Sequence, residues 1–208
     1  MATTEYATLA QVKAWLGITG TSQDTILPAV ITAASRAIDD FCGRRFWVDD
    51  SASERFFTPD DPTLLFVPDI ASTTGLVVAT DSGFDGTYEQ VWTSDARTGY
   101  GYRLEPVNAL AAAEAVEKRP YTRLRALSGE WPSLDYSVSV TATWGWPSVP
   151  AEISNAALLL TSRLWKRKDA VLGVAGGPDV GFLELARRMD PDIARSLYPF
   201  RREAAIGV

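Results

Sequence analysis

Apolar side chains recur at two different periods along this chain, and the change of period divides it into three parts. The first part is helical. Thr8 stands before "LAQVKAWLG" with Gln11 three residues on, a capping-box pattern in which each side chain satisfies a backbone N–H left free at a helix start. Leu9, Val12 and Leu16 fall on one stripe with Trp15 beside it, and Gly17 is placed to end the helix. A second helix is expected from Gln23 to Cys42, capped by Ser22 or Asp24, with Pro28 tolerable only near its start. Ile26, Leu27, Val30, Ile31, Ala34, Ile38, Phe41 and Cys42 recur at spacings of three and four and form one broad apolar face.

From Val48 to Trp146 the period shortens. "ERFFTP", "TLLFVPDI", "GLVVATD", "YEQVWTS" and "YGYRLEP" are short, rich in β-branched or aromatic residues, and parted by Pro, Gly and Asp turns. The clearest strand is "DYSVSVTATWGW". In it Tyr136, Val138, Val140, Ala142 and Trp144 alternate with Ser137, Ser139, Thr141 and Thr143, as in an antiparallel sheet with one solvated side. "NALAAAEAVEKRP" (Asn108 to Pro120) stays ambiguous, because its alanines favour helix while its setting favours strand.

Helical spacing returns after Pro150, over Ala151 to Asp169. Ile153, Ala157, Leu160 and Leu164 make a seam, and Leu158 and Trp165 lie on a separate line about a third of a turn away. That second line suits either a neighbouring subunit or the rim of the helix's own core. A glycine-rich loop follows, then a short helix around Phe182 to Met189. Asp190 caps "PDIARSLY", with Pro191 at the favoured first position and Pro199 as its stop. The fold class expected is α+β: a small helical bundle formed by the N- and C-terminal segments (1–47 and 148–208), with an inserted antiparallel β-rich segment (48–147) and a loose C-terminal tail.

Composition narrows the function. A net charge of −6 disfavours wrapping of nucleic acid, which needs a basic surface. The absence of histidine removes Ser-His and Cys-His dyads, the commonest general base and most transition-metal sites. One cysteine cannot form an internal disulfide, and neither a signal peptide nor a membrane span is legible. Cys42 continues a buried stripe at a helix C-terminus, before Gly43 and the cations Arg44 and Arg45. A thiol there is expected to be inert, because reactive thiols sit at helix N-termini or in exposed cationic sites.

Motif tests give no chemistry. "GVAGGPDVG" (Gly173 to Gly181) lacks the Lys-Ser or Lys-Thr of a phosphate loop. "DSGFDG" (Asp81 to Gly86) resembles half of a calcium loop, but Gly83 stands at the third ligand position and Trp92 at the twelfth, so a turn is the better reading. No catalytic, metal or cofactor residues are assigned. The basic run "RLWKRKD" (Arg163 to Asp169) reads either as a solvated helix end or as a contact for an acidic partner or nucleic acid.

Three stretches, "YATLAQVKAWLGI", "ITAASRAIDDFCGRRFW" and "VPAEISNAALLLTSRLWKRKD", together resemble the head-to-tail connector, or adaptor, proteins of tailed bacteriophages and gene transfer agents. The resemblance covers roughly the first 47 residues and about 20 after Ser148. It implies a structural virion protein at the head–tail interface, made in the host cytoplasm and not an enzyme. Such a protein forms a ring of its own copies, usually twelve, beneath the portal. It extends the DNA channel without sequence-specific DNA binding and docks a stopper or tail-completion protein. On that reading Leu158 and Trp165 meet the adjacent subunit. Arg44, Arg45, Lys166, Arg167, Lys168, Phe182, Tyr198 and Phe200 are candidates for partner contact, and the segment after Gly173 engages the portal. Two rival readings stand beside it. One is a stopper or tail-completion protein of the same particle. The other is a sugar-binding module or enzyme built on the β-rich segment, with Trp92, Tyr100, Tyr102 and Trp131 lining a pocket.

Overall fold

A computed structural model of the chain describes residues 4–110, 118–167, 174–175, 183–184 and 189–202. Backbone contacts divide it into two compact units: a helical one from Thr3–Phe46 with Val149–Ala204, and a β-rich one from Trp47–Ser148.

The helical unit begins with α1 (Leu9–Leu16), and its capping box is formed as expected: the Gln11 N–H donates to Thr8 Oγ1 at 3.2 Å, and the Thr8 N–H donates to Gln11 Oε1 at 2.8 Å. Gly17 ends it at φ +70°, where a side chain would be strained. Helix α2 (Leu27–Cys42) stops at Gly43 as expected but starts four residues late. Pro28 accounts for this: it sits in the first turn, the one place where its missing N–H costs nothing, so residues 23–26 are left to single turns. Asp24 is therefore no cap; it pairs with Lys13 at 2.6 Å instead.

Helix α2 packs against α3 (Ala151–Arg167). The α3 face differs from the expected seam. Ile153 and Ala157 are buried, but Leu160 and Leu164 are only half-buried, and Ala156, Thr161 and Ser162 complete the face. Ala34 and Ser35 do the same on α2. Small side chains let two helices approach closely, and the leucines are left at the margin. Helix α4 (Pro191–Leu197) is capped by Asp190, which accepts the Asp192 N–H at 3.0 Å and is also ion-paired with Arg163 of α3. A 3-10 turn, Tyr198–Phe200, follows, and the Arg202 N–H donates to the Cys42 carbonyl at 2.7 Å, so the chain end returns to α2. No helix among the described residues is long and apolar enough to cross a membrane.

The β unit is one curled seven-stranded sheet in the order β1-β7-β2-β6-β5-β4, with β3 also on β2. Its strands are β1 (Ser53–Phe57), β2 (Leu64–Thr80), β3 (Gln90–Val91), β4 (Thr93–Ser94), β5 (Gly101–Glu105), β6 (Tyr121–Ser128) and β7 (Val138–Trp144). Every pairing is antiparallel except β4 with β5. Strand β2 joins two stretches that read as separate strands. It bends through register shifts between Phe66 and Val77, pairing first with β6 and then with β7, and this curls the sheet around its core. Leu65, Val67, Ile70, Leu124, Val138, Val140, Trp144, Trp92 and Trp131 fill that core. The α+β class expected from the sequence, with a helical bundle from the chain ends and a mainly antiparallel insert, is what the structure has.

In the tail, Val174–Ala175 (β8) pairs antiparallel with Leu183–Glu184 (β9), so Leu183 and Glu184 are strand where a helix was expected. Most of the glycine-rich loop and of Asn108–Pro120 lies outside the described residues.

Candidate functional site

The end of α2 holds a polar knot within the helical unit. The Tyr6 hydroxyl accepts the Phe46 N–H at 2.8 Å and donates to the Asp39 carboxylate. Arg36 Nε lies 3.0 Å from the other Asp39 oxygen, and the Tyr6 N–H donates to Ser35 Oγ at 3.1 Å. Burial pushes the Asp39 carboxyl up to about 6, although the Tyr6 hydrogen bond and Arg36 pull the other way. Burial, and then the bond to Asp39, push the Tyr6 hydroxyl well above its ordinary range. Every strong group here is turned on another, which makes the knot a clasp between the N-terminal segment and α2. Cys42 beside it is buried, and burial pushes its thiol up to about 11 despite Arg44. At that value the thiol is protonated near neutrality, in line with the low nucleophilicity expected for it.

The described residues among those assigned to interfaces fall into three environments. Leu158 and Trp165 are half-buried, and Leu159, which was not singled out, is more exposed than either. Lys166 and Arg167 stand in solvent at the end of α3, while Arg44 and Arg45 are half-buried. Tyr198 is 69% exposed, with the Arg201 guanidinium 5.8 Å from its ring centre. Phe200 corrects its assignment: it is 5% exposed and packs edge-on against Phe46 at 6.0 Å, so it has no surface for a partner. Lys168 and Phe182 lie outside the described residues.

The aromatics considered for a sugar site are mostly core. Trp92, Tyr102 and Trp131 are buried, Trp92 stacks on Trp131 at 3.9 Å, and its indole N–H donates to Thr80 Oγ1 at 3.0 Å. Ring faces spent on one another cannot stack on a sugar. Only Tyr100 reaches the surface, beside an open hollow of about 730 Å³. In "DSGFDG" the buried Asp81 carboxylate accepts the Gly86 N–H at 2.8 Å, which is the turn expected.

Sequence reasoning missed a surface cluster of aromatics on the β unit. Phe56 on β1 lies 5.3 Å from the Tyr88 ring, and the Tyr88 hydroxyl donates to the Tyr136 carbonyl at 2.5 Å. Tyr136 was expected on the buried face of β7. Instead β7 starts at Val138, and Tyr136 sits before it at φ +53°, 67% exposed. The three come from segments up to 80 residues apart, so no local pattern announces them.

Among the described residues this arrangement offers an exposed aromatic surface. Residues 6–72 match the family of phage gp6-like head-tail connector proteins. The chain is similar to phage head-tail connectors. The connector likeness extends beyond the matched third in fold. A chain in a structure described as the neck of an empty gene transfer agent particle, computed with C6 symmetry, superposes with a TM-score of 0.52 at 17% identity, over 95% of this chain and 91% of that one. A chain from the virion of a native gene transfer agent particle gives 0.50 at 18% identity, over 96% and 91%. Among curated proteins none matches. These connector and neck proteins are structural virion components, not enzymes.

Proposed function

We propose that this protein is a structural component of a virion neck, and specifically the head-to-tail adaptor. In this reading copies of the chain, twelve in number, form a ring beneath the portal, extend the DNA channel and present a docking surface to the stopper or tail. The observation that carries it is a coincidence: the connector family matches the segment that builds α1 and α2, and the fold of a neck protein spans nearly the whole chain. The charge supports passage of DNA without retention, since a net charge of −6 gives phosphates little to hold. Leu158 and Trp165 contact the adjacent copy. In the same reading Arg44, Arg45, Lys166, Arg167 and Tyr198 make partner contacts, and the segment after Gly173 engages the portal.

The test is negative-stain imaging of the chain mixed with its portal and, separately, with the stopper and tail proteins. The adaptor reading expects a ring on the portal alone. Binding only to tail components would replace it with the stopper reading. Truncation after Gly173 should weaken portal binding, and unchanged affinity would remove that part of the proposal.

A further inference from the structure

The aromatic cluster on the β unit is a surface without an assignment. Phe56, Tyr88 and Tyr136 are held together by the ring contact and by the hydrogen bond from Tyr88 to the Tyr136 carbonyl, and the Tyr136 N–H is fixed to Thr58 Oγ1 at 2.9 Å. Phe84, 63% exposed, projects from the neighbouring Asp81–Tyr88 loop. Phe56 belongs to β1, which lies at the sheet edge and pairs only with β7 among the described residues. Large aromatics gathered in the open on an edge mark a contact surface more often than isolated exposed residues do.

The surroundings say what kind of contact. Glu54, Asp85, Glu89 and Asp135 are exposed around the cluster, and no lysine or arginine occurs between Arg55 and Arg97 or between Arg125 and Arg163. The complement is an apolar stripe that ends in cations. Helix α3 has one: Leu158 with Leu159 beside it, Trp165 about two turns on from Leu158, then the exposed Lys166 and Arg167 at the helix end. We infer that the Phe56–Tyr88–Tyr136 cluster of one copy receives the Leu158–Arg167 stripe of the next copy. This rests on the ring reading and names the face that the α3 line meets. The two patches differ, so the contact is heterologous and propagates from copy to copy, as a ring requires. Apolar groups supply the centre and charges the rim and register.

The experiment uses the full chain on its portal, with Phe56→Cys and Lys166→Cys together and singly, and a short thiol-to-thiol cross-linker. Cys42 is buried and stays silent. A ladder of multimers from the double variant, and monomers from each single variant, is expected. Rings in micrographs without a ladder would overturn this contact and leave the ring reading standing. Dimers from Phe56→Cys alone would also overturn it, because they mean that like patches meet. Failure of the native chain to form any ring overturns both. Charge exchange gives an independent readout. Glu89→Lys or Lys166→Glu alone should lower ring yield about three- to tenfold, and the pair should restore most of it. Equal loss in single and double variants contradicts the pairing.

Discussion

The two units use the same aliphatic and aromatic residues to opposite ends. In the helical unit small buried residues bring α2 and α3 together, and the polar groups close on each other in the Tyr6–Asp39–Arg36 knot and the Asp190–Arg163 pair. Its sequence carries thirteen bases and eleven acids, a balance of +2. The β unit carries fifteen acids and seven bases, a balance of −8, and shows Phe56, Phe84 and Tyr136 to solvent. One unit is organised inward as a frame. The other keeps a closed tryptophan core but leaves an acid-rimmed aromatic surface in solvent.

The contrast breaks hardest in the β core. Trp144→Ala removes a buried ring whose indole N–H donates to the Ser53 carbonyl at 2.8 Å and over which Arg55 lies 4.5 Å from the ring centre. A loss of about 3–5 kcal/mol is expected in denaturant unfolding. A loss under about 1 kcal/mol would mean that the ring is not the keystone of this sheet. On the helical side Ala157→Leu should cost about 1–3 kcal/mol by forcing the small-residue face apart, and a neutral result would show slack between α2 and α3.

The knot makes a prediction with a sign. Because folding raises the Asp39 pKa to about 6, the native state holds that proton more tightly than the unfolded chain does. The contribution is fully present below about pH 4 and is lost as pH rises through about 6. Asp39→Asn should flatten stability over that window, by an amount on the order of 1–2 kcal/mol, measured by urea titration at pH 4.5 and pH 7. Unchanged curvature would place the burial penalty elsewhere. Thr8→Ala, which removes the α1 cap, is the smallest effect, at about 1 kcal/mol in the melting curve.

How far these features could be read from the chain follows from how local each is. The capping box at Thr8, the stop at Gly43 and the alternation in β7 are fixed by neighbours a few residues away, and the sequence shows them. The late start of α2 was hidden because Pro28 permits more than one first turn. Strand β6 escaped notice because Arg123 and Arg125 take its outward positions and pair with Glu105, leaving Leu124 as its one deeply buried side chain. Strand β2 looked broken between Ile70 and Gly75, where it only bends. Phe200 and the Phe56–Tyr88–Tyr136 cluster depend on contacts across the fold, and neither could be read from spacing.

The central claim is tested most directly by a reconstruction of the neck in purified particles that carry this chain. The account predicts a closed ring of its density immediately below the portal, with α3 of each copy against the β unit of the next. Particles whose neck lacks the chain, or hold it only as isolated copies away from the channel, would contradict it.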